Sequence, residues 1–272
     1  MELAVNMEYF TKDIGLAGAA GVLQEAGFHY VDYTPELMNY KSSEWEKELE
    51  LLQDHGIQVY QCHAPVNRYK QYPSAEVHKR LLEVSLDAAV MAKAKYLVVH
   101  GDEFDIEREV YSPERALQYN YELFAPIVDR AVKEDIKIAF ETLFQDVVPF
   151  PRYGSKVEEL TTLIDRFSCS QACCCLDFGH ASVAFQEKLP EAIEAIGDRI
   201  QCTHVHDNYL DSDLHLIPLL GKIDWPACMK ALRGSTNIEV FNFELAYGHV
   251  TETTASCLAK LMYATGREMM RL

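Results

Sequence analysis

The chain has 272 residues, 49% of them hydrophobic, and its 25 basic against 42 acidic residues leave a formal charge of −17. That length and apolar content suit a sizeable core, and an α/β barrel of this size runs as one domain, here expected to span 1–272. The acidic surface repels a phosphate backbone, which makes nucleic acid an unlikely partner.

No stretch approaches the ~20 apolar residues of a membrane span. The N-terminal "MELAVNMEYF" lacks the basic start and apolar run of a secretion signal. Eight cysteines without such a signal then read as reduced thiols of a cytoplasmic protein.

Short apolar, β-branched runs recur along the chain. They are "LAVNMEY" at 3–9, "FHYVDYT" at 28–34, "IQVYQCHAP" at 57–65 and "YLVVHGD" at 96–102. "IKIAFETL" at 136–143, "ACCCLDFGH" at 172–180, "IQCTHVHDN" at 200–208 and "IEVFNFEL" at 238–245 complete the set. Helical periodicity fills the intervals, as from Val77 to Ala94 and from Arg115 to Val132. Ser112 before Pro113 predicts a helix start, Ser155 with Glu158 a capping box, and Asp224 before Trp225 a third cap. Gly27 and Gly56 follow helical stretches, where a left-handed cap favours glycine. Eight strand-helix units predict a (β/α)8 TIM barrel of the α/β class. The rival, a doubly wound open sheet, lacks its glycine-rich first turn here.

The strand ends carry the chemistry. His63 ends the third run, His100 the fourth, Glu141 the fifth, Asp177 the sixth, His204 the seventh and Glu244 the eighth. A barrel brings these ends to one rim, where active sites form. Glu141 and Glu244 follow apolar stretches, and a buried carboxylate needs a cation or a proton. With no lysine or arginine at equivalent positions, a divalent ion is the expected counter-charge, manganese, magnesium, cobalt or zinc. Of the two histidines in "THVHDN", His204 lies closer to the strand interior and is the expected ligand. His206 and Asp207 are expected to support the ligands or to belong to the loop.

Cys173, Cys174 and Cys175 alternate faces and cannot meet one ion, so they read as buried barrel wall, with Gly179 permitting the turn that follows. The rim cations Arg68, Lys70, Arg108, Arg152 and Lys222 read as surface charges rather than a phosphate clamp. Tyr9, Phe10, Phe144 and Trp225 are candidates to stack on a sugar face, core packing being the commoner role.

"FET" at Glu141, "CLDFGHA" at Asp177 and His180, "HVHDN" at His204, "DLHLIPLLGKIDW" at Asp213 and His215, and "FNFEL" at Glu244 occur in an order and spacing that resembles the sugar phosphate isomerase/epimerase superfamily. These are xylose isomerase-like TIM barrels that include endonuclease IV, and the resemblance covers essentially the whole chain. It implies that Glu141, Asp177, His204 and Glu244 hold one divalent ion and that Glu141 and Glu244 exchange protons with substrate. It also implies that His180 binds substrate or an additional metal.

The departures bear on the branch. Ketose 3-epimerases carry an arginine beyond the metal histidine, where this chain has "DNYLD", and a second glutamate, where it has "TLFQDVVPF". Endonuclease IV holds three zinc ions on a ligand pattern that His63, His100, Glu141, Asp177, His180, His204, Asp213, His215 and Glu244 match in order. Against a nuclease stand the charge of −17 and loops without clustered arginines. The resemblance therefore implies a metal-dependent sugar, sugar phosphate or polyol isomerase or epimerase, with a small carbohydrate partner and a possible homo-oligomer. The alternatives are an inosose dehydratase-like lyase, a trinuclear zinc phosphodiesterase and a barrel that catalyses nothing by itself.

Overall fold

Each of the eight apolar runs contributes one parallel strand in the computed structural model. It describes residues 1–66, 72, 74–102, 111–145, 152–234 and 238–272. Arg68, Lys70 and Arg108 lie outside the described residues. The strands are β1 (Glu2–Asn6), β2 (Tyr30–Asp32), β3 (Gln58–His63), β4 (Tyr96–Val99), β5 (Lys137–Glu141), β6 (Ala172–Asp177), β7 (Ile200–Val205) and β8 (Val240–Phe243). They pair in that order, and β8 returns to β1 with Glu2 opposite Val240, closing the barrel. The eight predicted units thus form a (β/α)8 barrel and not an open sheet.

Nine α-helices are present among the described residues: α1 (Glu8–Ala26), α2 (Ser42–Asp54), α3 (Ala75–Ala92), α4 (Pro113–Glu134), α5 (Val157–Arg166), α6 (Phe178–Phe185), α7 (Leu189–Ile196), α8 (Trp225–Leu232) and α9 (Glu252–Met269). The helix signals hold with one exception. Ser112 accepts from the Arg115 N–H, Asp224 from the Ala227 N–H, and Gly27 ends α1 with φ 105°. Gly56, with φ 66°, lies one residue beyond the cap of α2. The capping box at Ser155 does not form. α5 begins behind Lys156, and the Ser155 hydroxyl instead accepts from Gln145 Nε2 at 2.6 Å. Among the described residues no helix is long and apolar enough to cross a membrane.

Strand alternation divides the apolar side chains into two layers. Leu97, Val99, Ile138, Phe140, Cys174 and Leu176 face outward and pack with Phe124, Phe178, Trp225 and other helix residues. Tyr96, Val98, Ala139, Cys173, Cys175 and Cys202 form a separate cluster inside the barrel. The cysteines of β6 are therefore wall, as expected, but wall of two kinds. Cys173 and Cys175 fill the lumen, and Cys174 faces the helices. All eight cysteines are unbridged, and burial pushes the thiols of Cys173, Cys174 and Cys175 well up. Phe10 and Trp225 are fully buried core, which settles two of the candidate stacking aromatics as packing residues.

A thiol reagent applied to the native protein is expected to modify exposed Cys257 first and half-buried Cys169 more slowly. Peptide mapping that finds fast modification of Cys173, Cys174 or Cys175 before unfolding contradicts the two-layer packing.

Candidate metal centre and active site

The inward phase of each strand continues past the lumen cluster to its C-terminal end. Val98 is followed two residues later by His100, Ala139 by Glu141, Cys175 by Asp177, Cys202 by His204, and Asn242 by Glu244. A period of two places each functional side chain above a small lumen residue. Register ties them together, with Glu141 opposite Cys175 and Asp177 opposite His204.

Glu141, only 1% exposed, is the hub. Its Oε2 lies 3.1 Å from His63 Nε2, 3.0 Å from His100 Nε2 and 3.3 Å from His204 Nδ1. Its Oε1 lies 2.9 Å from His180 Nδ1. Burial opposes ionisation here, but His100 and His204 outweigh it and hold the carboxyl well below its ordinary range. The rings respond in different ways. Burial opposes charge on His204, and Glu244 and Glu141 overcome it, raising its pKa well above the ordinary value. The same contest, with Glu141 as the opposing partner, leaves His63 at about 9. For His100 burial wins, and its pKa falls to about 4.

His204 is fully buried, and its Nδ1 lies 3.2 Å from Glu244 Oε2 and 3.8 Å from Asp177 Oδ2. Neither ring nitrogen makes an aligned hydrogen bond. One Asp177 oxygen, one His204 nitrogen and one Glu244 oxygen lie within 4.8 Å of one another, a spacing that suits ligands around one divalent ion. Glu141 adds an oxygen 3.3 Å from the same His204 nitrogen, a donor set compatible with a divalent ion. Four further, overlapping groups meet the same spacing: His63 with His100 and Glu141, His180 with Asp213 and His215, His206 with His215 and Glu244, and Glu141 with Asp177 and His180. All nine expected site residues converge on one rim.

Sequence reasoning passed over Asp32. It ends β2, is 1% exposed, and places Oδ2 3.4 Å from His204 Nε2, the ring nitrogen turned away from the other carboxylates. Gln61 donates to the same oxygen at 3.2 Å. A carboxylate behind a ligating histidine fixes its ring and raises its basicity. Asp32 carried the same signal as the others, a polar residue at the end of an apolar strand.

His206 is fully buried beyond β7, with Nε2 3.0 Å from Asp177 Oδ2. Both histidines of "THVHDN" therefore approach one carboxylate, and His206 stands where a residue supporting Asp177 was expected. Gly179 makes this possible. It lies inside α6, and a Cβ there would stand 1.8 Å from the His206 ring. Its role is close approach and not the turn expected of it. Asp207 pins the following loop by accepting from the Leu219 N–H at 2.9 Å and from Trp225 Nε1 at 2.8 Å. A Cβ on Gly221 would meet Asp207 Oδ1 at 2.2 Å, so glycine is required there too.

That loop delivers Asp213 and His215. His215 adopts a left-handed φ of 50°, and its Nδ1 lies 2.9 Å from the Glu244 carbonyl. Its Nε2 lies 3.2 Å from Asp213 Oδ2, and His180 Nε2 lies 3.3 Å from the same oxygen. Burial opposes charge on His215, but Asp213 and Glu244 raise its pKa to about 9. Above these groups a cavity of about 390 Å³ is lined by Asn6, Asp32, Thr34, His63, His180 and Glu244, among others. Arg152 departs from its expected role as a surface charge. It is 4% exposed, with Nη2 3.4 Å from His100 Nδ1.

These shifts set a pH window for the metal-stripped protein. His63 and His215 rise from 6.5 to about 9, so their contribution is full below pH 6.5 and is lost as pH rises through about 9. Glu141 and Glu244 fall below 4.5, so their contribution is present above that value and is lost as pH falls through their folded values. The melting temperature of chelator-treated protein should therefore drop between pH 6.5 and about 9. Excess divalent ion should reverse the drop, because ligand imidazoles bind ions when neutral. A melting temperature that is flat over this range and indifferent to the ion contradicts the assignment.

Comparison with known proteins agrees with the geometry. A sequence profile of the xylose isomerase-like TIM barrel family matches residues 21–262. An uncharacterised protein of Sinorhizobium fredii, y4fM, is 26% identical, the match covering 85% of this chain and 81% of that protein. Among solved structures, a D-tagatose 3-epimerase-like protein superposes with a TM-score of 0.76 at 20% identity, covering 100% of this chain and 98% of that one. The IolI protein, solved with a binding zinc atom, superposes with a TM-score of 0.72 at 16% identity, covering 99% and 96%. At these identities the structural likeness is one of fold. With the profile spanning most of its length, the chain belongs to the xylose isomerase-like TIM barrel family.

Proposed function

We propose that the protein is a divalent-metal-dependent isomerase or epimerase of a small sugar or polyol, acting by proton transfer next to a carbonyl. One observation carries this reading. Glu141 and Glu244 approach His204 Nδ1 from separate strands, at 3.3 and 3.2 Å, so two carboxylates flank one cation site at the cavity floor. A divalent ion held by Glu141, Asp177, His204 and Glu244 supplies Lewis-acid polarisation of a substrate carbonyl, which acidifies the neighbouring C–H. Manganese, magnesium, cobalt and zinc all suit this nitrogen and oxygen donor set.

In this scheme one glutamate removes the proton and the other returns one on the opposite face. Both are held ionised, which suits a base; Glu141 is buried and Glu244 half-buried. His180, His215 and Asp213 lie beside them and provide donors and acceptors for substrate hydroxyls. Glu8, Asp32, Glu141 and Glu244 line the cavity together with His63, His100, His180 and His215, a mixed lining that offers both acceptors and donors to a polyol. The structural neighbours include sugar 3-epimerases and xylose isomerase-like proteins, in keeping with this class. A lyase of the inosose dehydratase kind would use the same proton abstraction with a β-hydroxyl leaving.

Several overlapping ligand groups along one rim favour a second reading, a three-ion phosphodiesterase. The net charge of −17 opposes a nucleic-acid substrate.

Glu244→Gln, assayed on a panel of ketoses and keto-polyols, should lower turnover by about 10²–10⁴-fold, with exchange of the substrate C–H with solvent persisting only for the isomer whose C–H faces Glu141. Wild-type turnover in that variant contradicts the two-glutamate scheme. Wild-type cleavage of DNA at an abasic site would favour the second reading.

A further inference from the structure

Six imidazoles approach the carboxylates of the rim, and His63, His204 and His215 share one arrangement. Each turns one ring nitrogen toward the cluster and the other toward an acceptor. His63 Nδ1 faces the Ala64 carbonyl at 2.7 Å and His215 Nδ1 the Glu244 carbonyl at 2.9 Å. His204 Nε2 faces Asp32 Oδ2 at 3.4 Å. An acceptor in that place keeps the proton on the outward nitrogen and leaves the inward one a lone pair for a cation.

His100 reverses the pattern. Its inward Nε2 lies 3.0 Å from Glu141 Oε2, but its outward Nδ1 faces Arg152 Nη2 at 3.4 Å. A guanidinium donates and never accepts. Nδ1 must then present its lone pair, and the one proton of the neutral ring sits on Nε2, pointing at Glu141. Arg152 is built into place. The Arg152 N–H donates to Gln145 Oε1 at 3.3 Å, and Gln145 Nε2 donates back to the Arg152 carbonyl at 3.2 Å. The guanidinium lies 5.7 Å from the centre of the Phe144 ring.

We propose that Arg152 is a positioning residue that locks His100 in the Nε2–H tautomer, so that His100 donates a hydrogen bond to Glu141 and does not ligate an ion. The corner formed by His63, His100 and Glu141 then carries the fixed charge of the guanidinium in place of a metal, although its donor atoms lie within 4.8 Å of one another. Ions are left to the group around His204 and to the group of His180, Asp213 and His215. The consequence for ion number rests on the metal-dependent reading of the site, and the tautomer rests on hydrogen-bond geometry alone.

The test has two arms. In chelator-treated protein labelled with ¹⁵N-histidine, ring correlation spectra should show His100, assigned by its loss in His100→Gln, with its proton on Nε2. A proton on Nδ1 overturns the proposal. In the second arm, protein saturated with zinc should hold at most about two ions per chain, and His100→Gln should leave that number unchanged. Arg152→Met should raise the count by one, and Arg152→Lys, which restores a donor, should not. A third zinc in the wild type that His100→Gln removes overturns the proposal. Where Arg152→Met fails to fold, the wild-type spectrum and the His100→Gln count still decide. A protein that binds no zinc refutes the metal reading, while the ring spectrum still decides the tautomer.

Discussion

A buried carboxylate cannot stand alone, and the site is organised around that constraint. Glu141 is sealed at the end of β5 and meets imidazoles from the ends of β3, β4 and β7 and from the first turn of α6. Each of those contacts fixes a strand end or helix start relative to β5, so closing the barrel and assembling the site are one event. Removing the partners of a buried charge is severely destabilising. Further groups hold the partners in turn. Asp32 stands behind His204, Gly179 admits the His206 ring toward Asp177, and Asp207 staples the loop that carries Asp213 and His215.

Much of this was legible along the chain. Eight apolar runs with polar residues at their ends predicted the barrel and the rim, because strand periodicity and strand-end position are local properties. The inward phase that stacks Asp177 above Cys175 and Cys173 follows from the same period of two. What local pattern could not carry was set by contacts between distant segments. Nothing in "DFGHA" shows that Gly179 must clear a ring 27 residues onward, since its requirement arises only when β6 and β7 are paired. Arg152 looks like a loop charge until the loop folds it against His100. Ser155 matched a capping box, but Gln145 takes its hydroxyl first, a tertiary contact overriding a local one. Asp32 was missed although it was as readable as Glu141.

The network also explains how one rim can offer several ligand groups without committing to several ions. Imidazoliums and a guanidinium can neutralise carboxylates as an ion does, and they differ from one another in whether they yield. A protonated histidine gives up its proton to an incoming ion, and an arginine does not. The division between the His204 and His215 side of the rim and the Arg152 side is therefore chemical as well as spatial. In the proposed scheme an ion falls to the side where Glu141 and Glu244 both approach His204, as proton transfer requires.

The central claim is that a divalent ion replaces protons held by this imidazole–carboxylate network. Calorimetric titration of manganese into chelator-stripped protein at pH 7, repeated in buffers of different ionisation enthalpy, tests it most directly. The account predicts a binding heat that varies with buffer and corresponds to release of at least about one proton per ion. Saturable binding with a heat independent of buffer, or no binding at all, would contradict it.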